Sequence, residues 1–207
     1  MSLIKDSIIV IVPSYNEAGI IRQTIQKLLA ENFYVIVVDD ASNDNTRAAL
    51  AGLPIIFIRH EVNLGQGAAI RTGIEYALTR DFDYLVTFDA DGQHSVEDIP
   101  VMIEMLKKNN ADIVFGSRFI AGANSNISPS RKRVLKFARF VNYLVSGILL
   151  SDANNGLRVI NPKGATGIEI TGNRGNHNAQ DQTIIKTKGI KYTECGVNIT
   201  YSAYSRQ

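Results

Sequence analysis

Tyr84-Leu85-Val86-Thr87-Phe88 runs directly into Asp89-Ala90-Asp91-Gly92-Gln93, and the fold is read from this junction. Leu85, Val86 and Phe88 form a short apolar run of strand-favouring residues that stops at two carboxylates one residue apart. The pattern predicts a buried strand over 84–88 with acid at its tip. Two carboxylates this close repel each other and resist desolvation, so the arrangement makes most sense with a divalent cation between them. A hard, oxygen-liganded ion such as Mg²⁺ or Mn²⁺ is the candidate, with Asp89 and Asp91 as its ligands. A plainer reading competes: Asp89 begins an Asp-Gly turn, and Asp-x-Asp also arises by chance. An EF-hand loop is excluded, because it needs glycine where His94 stands and a helix where this chain predicts a strand.

Working outward, short β-rich runs at 7–12, 34–38, 55–58, 84–88 and 112–115 alternate with helical stripes. One stripe is Ile21, Ile25, Leu28 and Leu29; another is Ile70, Ile74, Ala77 and Leu78. Ser95 followed by Asp98 resembles a capping box that opens a further helix through Ile103 and Leu106. Alternation of this kind predicts βαβ units, hence an α/β chain with a Rossmann-like, mainly parallel sheet flanked by helices. Beyond 120 the signal thins. Residues 120–129 read as a mobile loop and 161–180, rich in Gly and Asn, give no clear element; a helix near 183–188 and a strand near 197–201 close the chain.

The polar motifs share a position. Pro13-Ser14-Tyr15-Asn16-Glu17, Asp39-Asp40, Asp89-Ala90-Asp91 and Gly116-Ser117-Arg118 each follow the carboxyl end of a predicted strand, which places them on the ligand-binding rim of a parallel sheet. Neither a Gly-x-Gly-x-x-Gly fingerprint nor a Walker loop is present, so standard NAD binding and P-loop chemistry are excluded. Gly65-Gln66-Gly67 reads as close backbone packing or an anion contact at a helix start. Asp39 and Asp40 either cap and turn, or Asp40 accepts hydrogen bonds from a base or ribose. His60, His94 and His177 stand alone and read as surface or supporting residues.

A chain of 207 residues with 45% hydrophobic content can bury one substantial core, so one domain over 1–207 is expected. A formal net charge of +2 does not indicate nucleic acid as a partner. The single cysteine, Cys195, fits a reducing compartment and hence a cytoplasmic location. No secretory signal is visible, and no apolar run reaches the roughly 18 residues of a membrane span. Arg118, Arg131, Lys132, Arg133, Lys136 and Arg139 fall in an acid-free stretch that turns apolar from 140 to 150. Such a stretch lies at the inner face of an anionic membrane or against a membrane-protein partner, or it is a helix with a solvated basic end and a core-buried apolar end.

Together, Val12-Pro13-Ser14-Tyr15-Asn16-Glu17, Val38-Asp39-Asp40-Ala41-Ser42, the run 63–73, Asp89-Ala90-Asp91-Gly92-Gln93, Gly116-Ser117-Arg118-Phe119 and the run 151–158 resemble the inverting glycosyltransferases of family 2, with a GT-A fold, in their dolichyl- or polyprenyl-phosphate sugar synthase branch. The resemblance covers roughly 8–160. It implies a nucleotide-binding part over about 1–117 and an acceptor-side part over about 118–207. Pro13, Tyr15, Glu17 and Asp40 would cradle the nucleotide of a UDP- or GDP-sugar, with Asn16, Asp39 and Ala90 in the same binding stretches. Asp89 and Asp91, with Gln93 beside them, would hold the metal against the diphosphate, and Arg118 and Arg131 would face the phosphate of a polyprenyl-phosphate acceptor. Membrane-anchored members of the family continue into transmembrane helices that this sequence does not show, and 161–180 matches the family poorly.

The implied reaction moves one sugar; the absence of tryptophan excludes the Gln-x-x-Arg-Trp signature of processive synthases in the family. A phosphate acceptor is anionic at neutral pH and needs no base. A carbohydrate hydroxyl would need one, and Asp152 or Asp181 would serve. A non-catalytic nucleotide-binding subunit of a membrane assembly is the alternative from another class, and it predicts nucleotide binding indifferent to metal.

Overall fold

The computed structural model describes residues 7–125, 150–152, 155–168 and 189–200. The strands are β1 (Ile8–Ser14), β2 (Tyr34–Asp39), β3 (Ile56–Arg59), β4 (Tyr84–Thr87), β5 (Ile113–Ser117), β6 (Asn124–Ser125), β7 (Arg158–Ile160), β8 (Tyr192–Gly196) and β9 (Asn198–Ile199). Seven of them form one sheet in the order β3-β2-β1-β4-β7-β5-β8, and β6 pairs with β9 apart from it. Every pairing in the large sheet is parallel except those of β7, which lies antiparallel between β4 and β5. The mainly parallel α/β architecture is therefore as expected.

The central strands β1, β2, β4 and β5 are buried on both faces, which is why they read as nearly continuous apolar runs. Val10 and Val12 of β1 point into a core shared with α1 (Ile21–Ala30) and α4 (Asp98–Asn109), where Ile25, Leu28, Met102 and Leu106 are buried. Ile9 and Ile11 point the other way, onto Ile70 and Ile74 of α3 (Gln66–Ala77). α3 comes in close because Gly73 has no side chain. A Cβ there would stand 3.1 Å from Ile11 Cδ1.

Several local expectations are corrected. α4 starts at Asp98, not Ser95: the Ser95 hydroxyl bonds to Glu97, and Asp98 instead accepts from Asn198 N and Nδ2, both at 2.7 Å. The acid read as a local cap therefore ties α4 to β9. Leu78 falls past the end of α3 and is exposed. β7 and β8 were not anticipated, and the strand expected near 197–201 is reduced to β9. Within 161–180 a short helix, α5 (Pro162–Gly167), follows α2 (Thr46–Ala49) and the longer helices in the chain. Asn161 Oδ1 caps it by accepting from Gly164 N at 2.7 Å, with Pro162 in its first turn. The expected helix near 183–188, the basic-to-apolar run 131–149, Asp181 and His177 lie outside the described residues. Among the described residues no helix is long and apolar enough to cross a membrane.

Candidate active site

β1, β2 and β3 lie in succession to one side, and the chain then crosses back to place β4 on the other side of β1. Connections diverge between β1 and β4, which is where open α/β sheets leave a ligand crevice at the carboxyl ends of their strands. A cleft of about 340 Å³ opens there. Pro13, Tyr15 and Glu17 line it from the β1 end, Asp40 from the β2 end, and Asp89, Ala90 and Asp91 from the β4 end. Ser14, Gln66 and Ala69 complete it. The volume lies in the range of small-molecule sites. Ser14 Oγ is buried at the cleft with no partner, a group a bound ligand would satisfy.

The loops that form the cleft are tied to one another. Asn16, at φ +57°, donates its backbone N–H to Ser42 Oγ at 2.9 Å, and its Oδ1 accepts from Asn43 N at 2.8 Å. Glu17 N donates to Thr46 Oγ1 at 3.1 Å. These bonds present the half-exposed Tyr15 ring at the cleft and leave the Asn16 amide facing the neighbouring loop. Asp40 Oδ1 accepts from Leu64 N at 2.9 Å and Oδ2 from Gly65 N at 2.6 Å, while His60 Nδ1 lies 2.7 Å from Oδ1. Asp40 thus fixes the turn, with Gly65 at φ +96°, that starts α3 and brings Gln66 to the cleft.

Asp39 does not reach the cleft. Its carboxylate is fully buried, accepts from Ser42 N and Oγ, and pairs with Arg59, whose Nη2 donates to Ser42 O at 2.9 Å. Since Arg59 is itself partly open to water, Asp39→Ala should lower stability by about 2 kcal/mol in urea denaturation. Nucleotide-induced stabilisation should be unchanged; a loss of nucleotide binding at intact stability would show instead that Asp39 contacts the ligand.

Asp89 and Asp91 stand at the centre. Asp89 Oδ1 accepts from Gln66 Nε2 at 2.9 Å and Oδ2 from His94 Nε2 at 3.0 Å. Asp91 accepts from Gln93 N at 3.0 Å and from Gln93 Nε2. Burial, and then the charge of Asp89, push the Asp91 carboxyl above its ordinary range. That is the direction expected of a largely buried carboxyl beside a second acid. Among the described residues no cluster of three or more His, Cys, Asp or Glu side chains is set to hold a metal alone. Two carboxylates with neutral oxygen donors suit instead an ion that takes its remaining ligands from a phosphate-bearing ligand and water.

The same acids also line a second, smaller cavity of about 180 Å³, with Gln93, His94, Arg118, Asn155 and Gly156. Arg118 is held by Asp152 in a two-point pair, Nε to Oδ2 at 2.5 Å and Nη2 to Oδ1 at 2.6 Å, and Arg118 N also donates to Oδ2 at 3.1 Å. Asp152 is 3% exposed, and both of its oxygens are engaged in orienting the guanidinium. Arg131 lies outside the described residues.

Sequence reasoning missed Gly156, Asn155 and Gln66; His94, read as a surface or supporting residue, does support Asp89. Gly156 is the backing of Asp89: a Cβ there would fall 2.6 Å from Asp89 Cγ and nearer still to both oxygens. Asp152 to Arg158 has the composition of a loop bending back to a site, but no local signal marks which of its residues would touch an acid so far back in the chain.

A family model described as "Glycosyl transferase family 2" matches residues 9–183. The UDP-N-acetylglucosamine–dolichyl-phosphate N-acetylglucosaminyltransferase of Methanococcus voltae is 29% identical over 96% of this chain and 87% of its own. The undecaprenyl-phosphate mannosyltransferase of Micrococcus luteus is 32% identical over 73% of this chain and 65% of its own. In shape the chain is similar to glucosyl-3-phosphoglycerate synthase of Mycobacterium tuberculosis, solved with Mn²⁺, UDP-glucose and phosphoglyceric acid. That match has a TM-score of 0.70 at 16% identity, covering 98% of this chain and 77% of that one.

Proposed function

Given that the chain belongs to glycosyl transferase family 2, we propose that it transfers a single sugar, with inversion, from a nucleotide-sugar to a polyprenyl phosphate in a metal-dependent reaction. One observation carries this reading: Asp89 and Asp91 form the common wall of a nucleotide-sized cleft and of a small polar cavity holding Arg118. Donor and acceptor would then meet across the carboxylate pair. The two relatives named for polyprenyl-phosphate acceptors, dolichyl and undecaprenyl, differ in the sugar they move, so they support the acceptor class and leave the sugar to be measured.

Tyr15 and Pro13 would flank the nucleotide, and Gln66 would lie beside its diphosphate at the start of α3, where backbone N–H groups favour an anion. A cation bound by Asp89 and Asp91, with Gln93 beside them, would neutralise the charge that builds on the departing diphosphate. Arg118, fixed by Asp152, would hold the acceptor phosphate. Because Asp152 is engaged with Arg118 at both oxygens, the geometry favours an acceptor that brings its own negative charge over a sugar hydroxyl that needs a base.

Thermal shift with UDP, GDP and their sugars, each with Mn²⁺ or with chelator, tests the donor side. One base should stabilise the protein by several degrees, and only with metal. Stabilisation that is equal in chelator would remove the metal, and a protein that binds nucleotide but transfers nothing to a polyprenyl phosphate would remove the acceptor.

A further inference from the structure

Asn155 has a fixed amide. Its Oδ1 accepts from Leu157 N at 2.9 Å, which leaves the NH₂ group to face elsewhere. That NH₂ is buried and has no partner, in a side chain only 5% exposed. A buried donor left unpaired is costly, and native structures seldom keep one that no ligand or water satisfies. Asn155 lines the small cavity beside Asp89, Asp91 and Arg118. At about 180 Å³ the cavity is smaller than the usual site for a whole organic ligand, and its size and polar lining suit one small anionic group.

We infer that Asn155 is an acceptor-orienting residue: its Nδ2 donates to a non-attacking oxygen of the acceptor's phosphate. The inference rests on the polyprenyl-phosphate reading above. Arg118 supplies charge from one side of the cavity and Asn155 a neutral donor from the loop that also carries Gly156. Two donors fix the rotation of the phosphate about its ester bond, which charge alone does not, and a third oxygen is left to face the sugar held over Asp89 and Asp91. No bond to Asn155 forms or breaks. The residue acts on binding and orientation.

Asn155→Asp isolates the NH₂, since it keeps an oxygen to accept from Leu157 N and replaces only the unpartnered group with a repelling one. With a short-chain polyprenyl phosphate as acceptor, KM for that acceptor should rise roughly 10- to 100-fold, the value of one hydrogen bond to a charged group. Mn²⁺-dependent stabilisation by the nucleotide-sugar should stay as in the parent. Asn155→Ser, which also keeps a small oxygen, should raise the same KM and guards against an acidic variant that fails to fold. An acceptor KM unchanged in both variants overturns the inference alone, as does a change confined to nucleotide or Mn²⁺ affinity, which would assign the amide to the donor side. Absence of transfer to any polyprenyl phosphate by the parent chain overturns this inference and the functional reading together.

Discussion

A single methyl group at Gly156 should cost the protein its activity. The added Cβ of Gly156→Ala would overlap the Asp89 carboxylate, and the loop that carries Gly156 cannot move aside cheaply. Gly156 O accepts from Thr87 Oγ1 at 2.6 Å, which pins the loop to β4. The next residue is held twice, Leu157 N by Asn155 Oδ1 and Leu157 O by Gly116 N at 2.9 Å. Asp89 must therefore turn away, losing the bonds from Gln66 and His94 that aim it. Displacing a reacting group by about 1 Å is enough for roughly a 100-fold loss, so kcat/KM should fall at least that far. The overpacking itself should cost about 1–3 kcal/mol of stability, which a folded domain of this size tolerates. The readouts are transfer rate and Mn²⁺-dependent thermal shift. A variant that keeps both within a few-fold of the parent would show that Asp89 does not work from its observed position.

Asp91→Asn should separate stability from function. If Asp89 and Asp91 hold the cation as proposed, removing one of the two acids should lower kcat by about 100- to 1,000-fold and abolish metal-dependent stabilisation by the nucleotide. In chelator the variant should nonetheless be as stable as the parent or more so. Because burial and the charge of Asp89 raise the folded carboxyl above its ordinary value, the ionised Asp91 opposes folding, and a neutral amide removes that opposition. The sign extends to pH. The parent without metal binds the Asp91 proton more tightly when folded than when unfolded. Its stabilising effect is therefore present at low pH and is lost as pH rises through the raised folded value. Added Mn²⁺ should offset that loss. Urea denaturation across pH, with and without metal, measures each effect, and a less stable Asp91→Asn protein in chelator would contradict the account.

Much of this site is legible in the order of the amino acids, because its parts sit on strong local signals. The runs that become β1, β2 and β4 are apolar enough to be buried strands, and each stops at polar residues: Pro13 to Glu17, Asp39-Asp40 and Asp89 to Asp91. Parallel order then sends all three to one rim. What such signals do not convey is which way a side chain turns once there. Asp39 and Asp40 look equivalent in sequence, yet strand alternation points Asp39 at Arg59 in the interior and leaves Asp40 at the cleft, bonded to the start of α3. Likewise Ser95 and Asp98 have the spacing of a cap, but a partner 100 residues away in sequence, Asn198, takes the acid.

Local sequence suffices for the α/β class, the presence of the strands that bear the motifs, and the pair of acids at the tip of β4. Those depend on periodicity and on residues a few positions apart. How the acids are held, and what faces them, is set by long-range packing alone: the three-residue β7, antiparallel between β4 and β5, sets Gly156 behind Asp89, and Arg118 engages both oxygens of Asp152, the acid read from sequence as a prospective base. A strand that short is too brief to carry a periodic signal of its own. It exists because two neighbours offer it unpaired backbone groups on both sides, and that condition arises only once distant parts of the chain have come together.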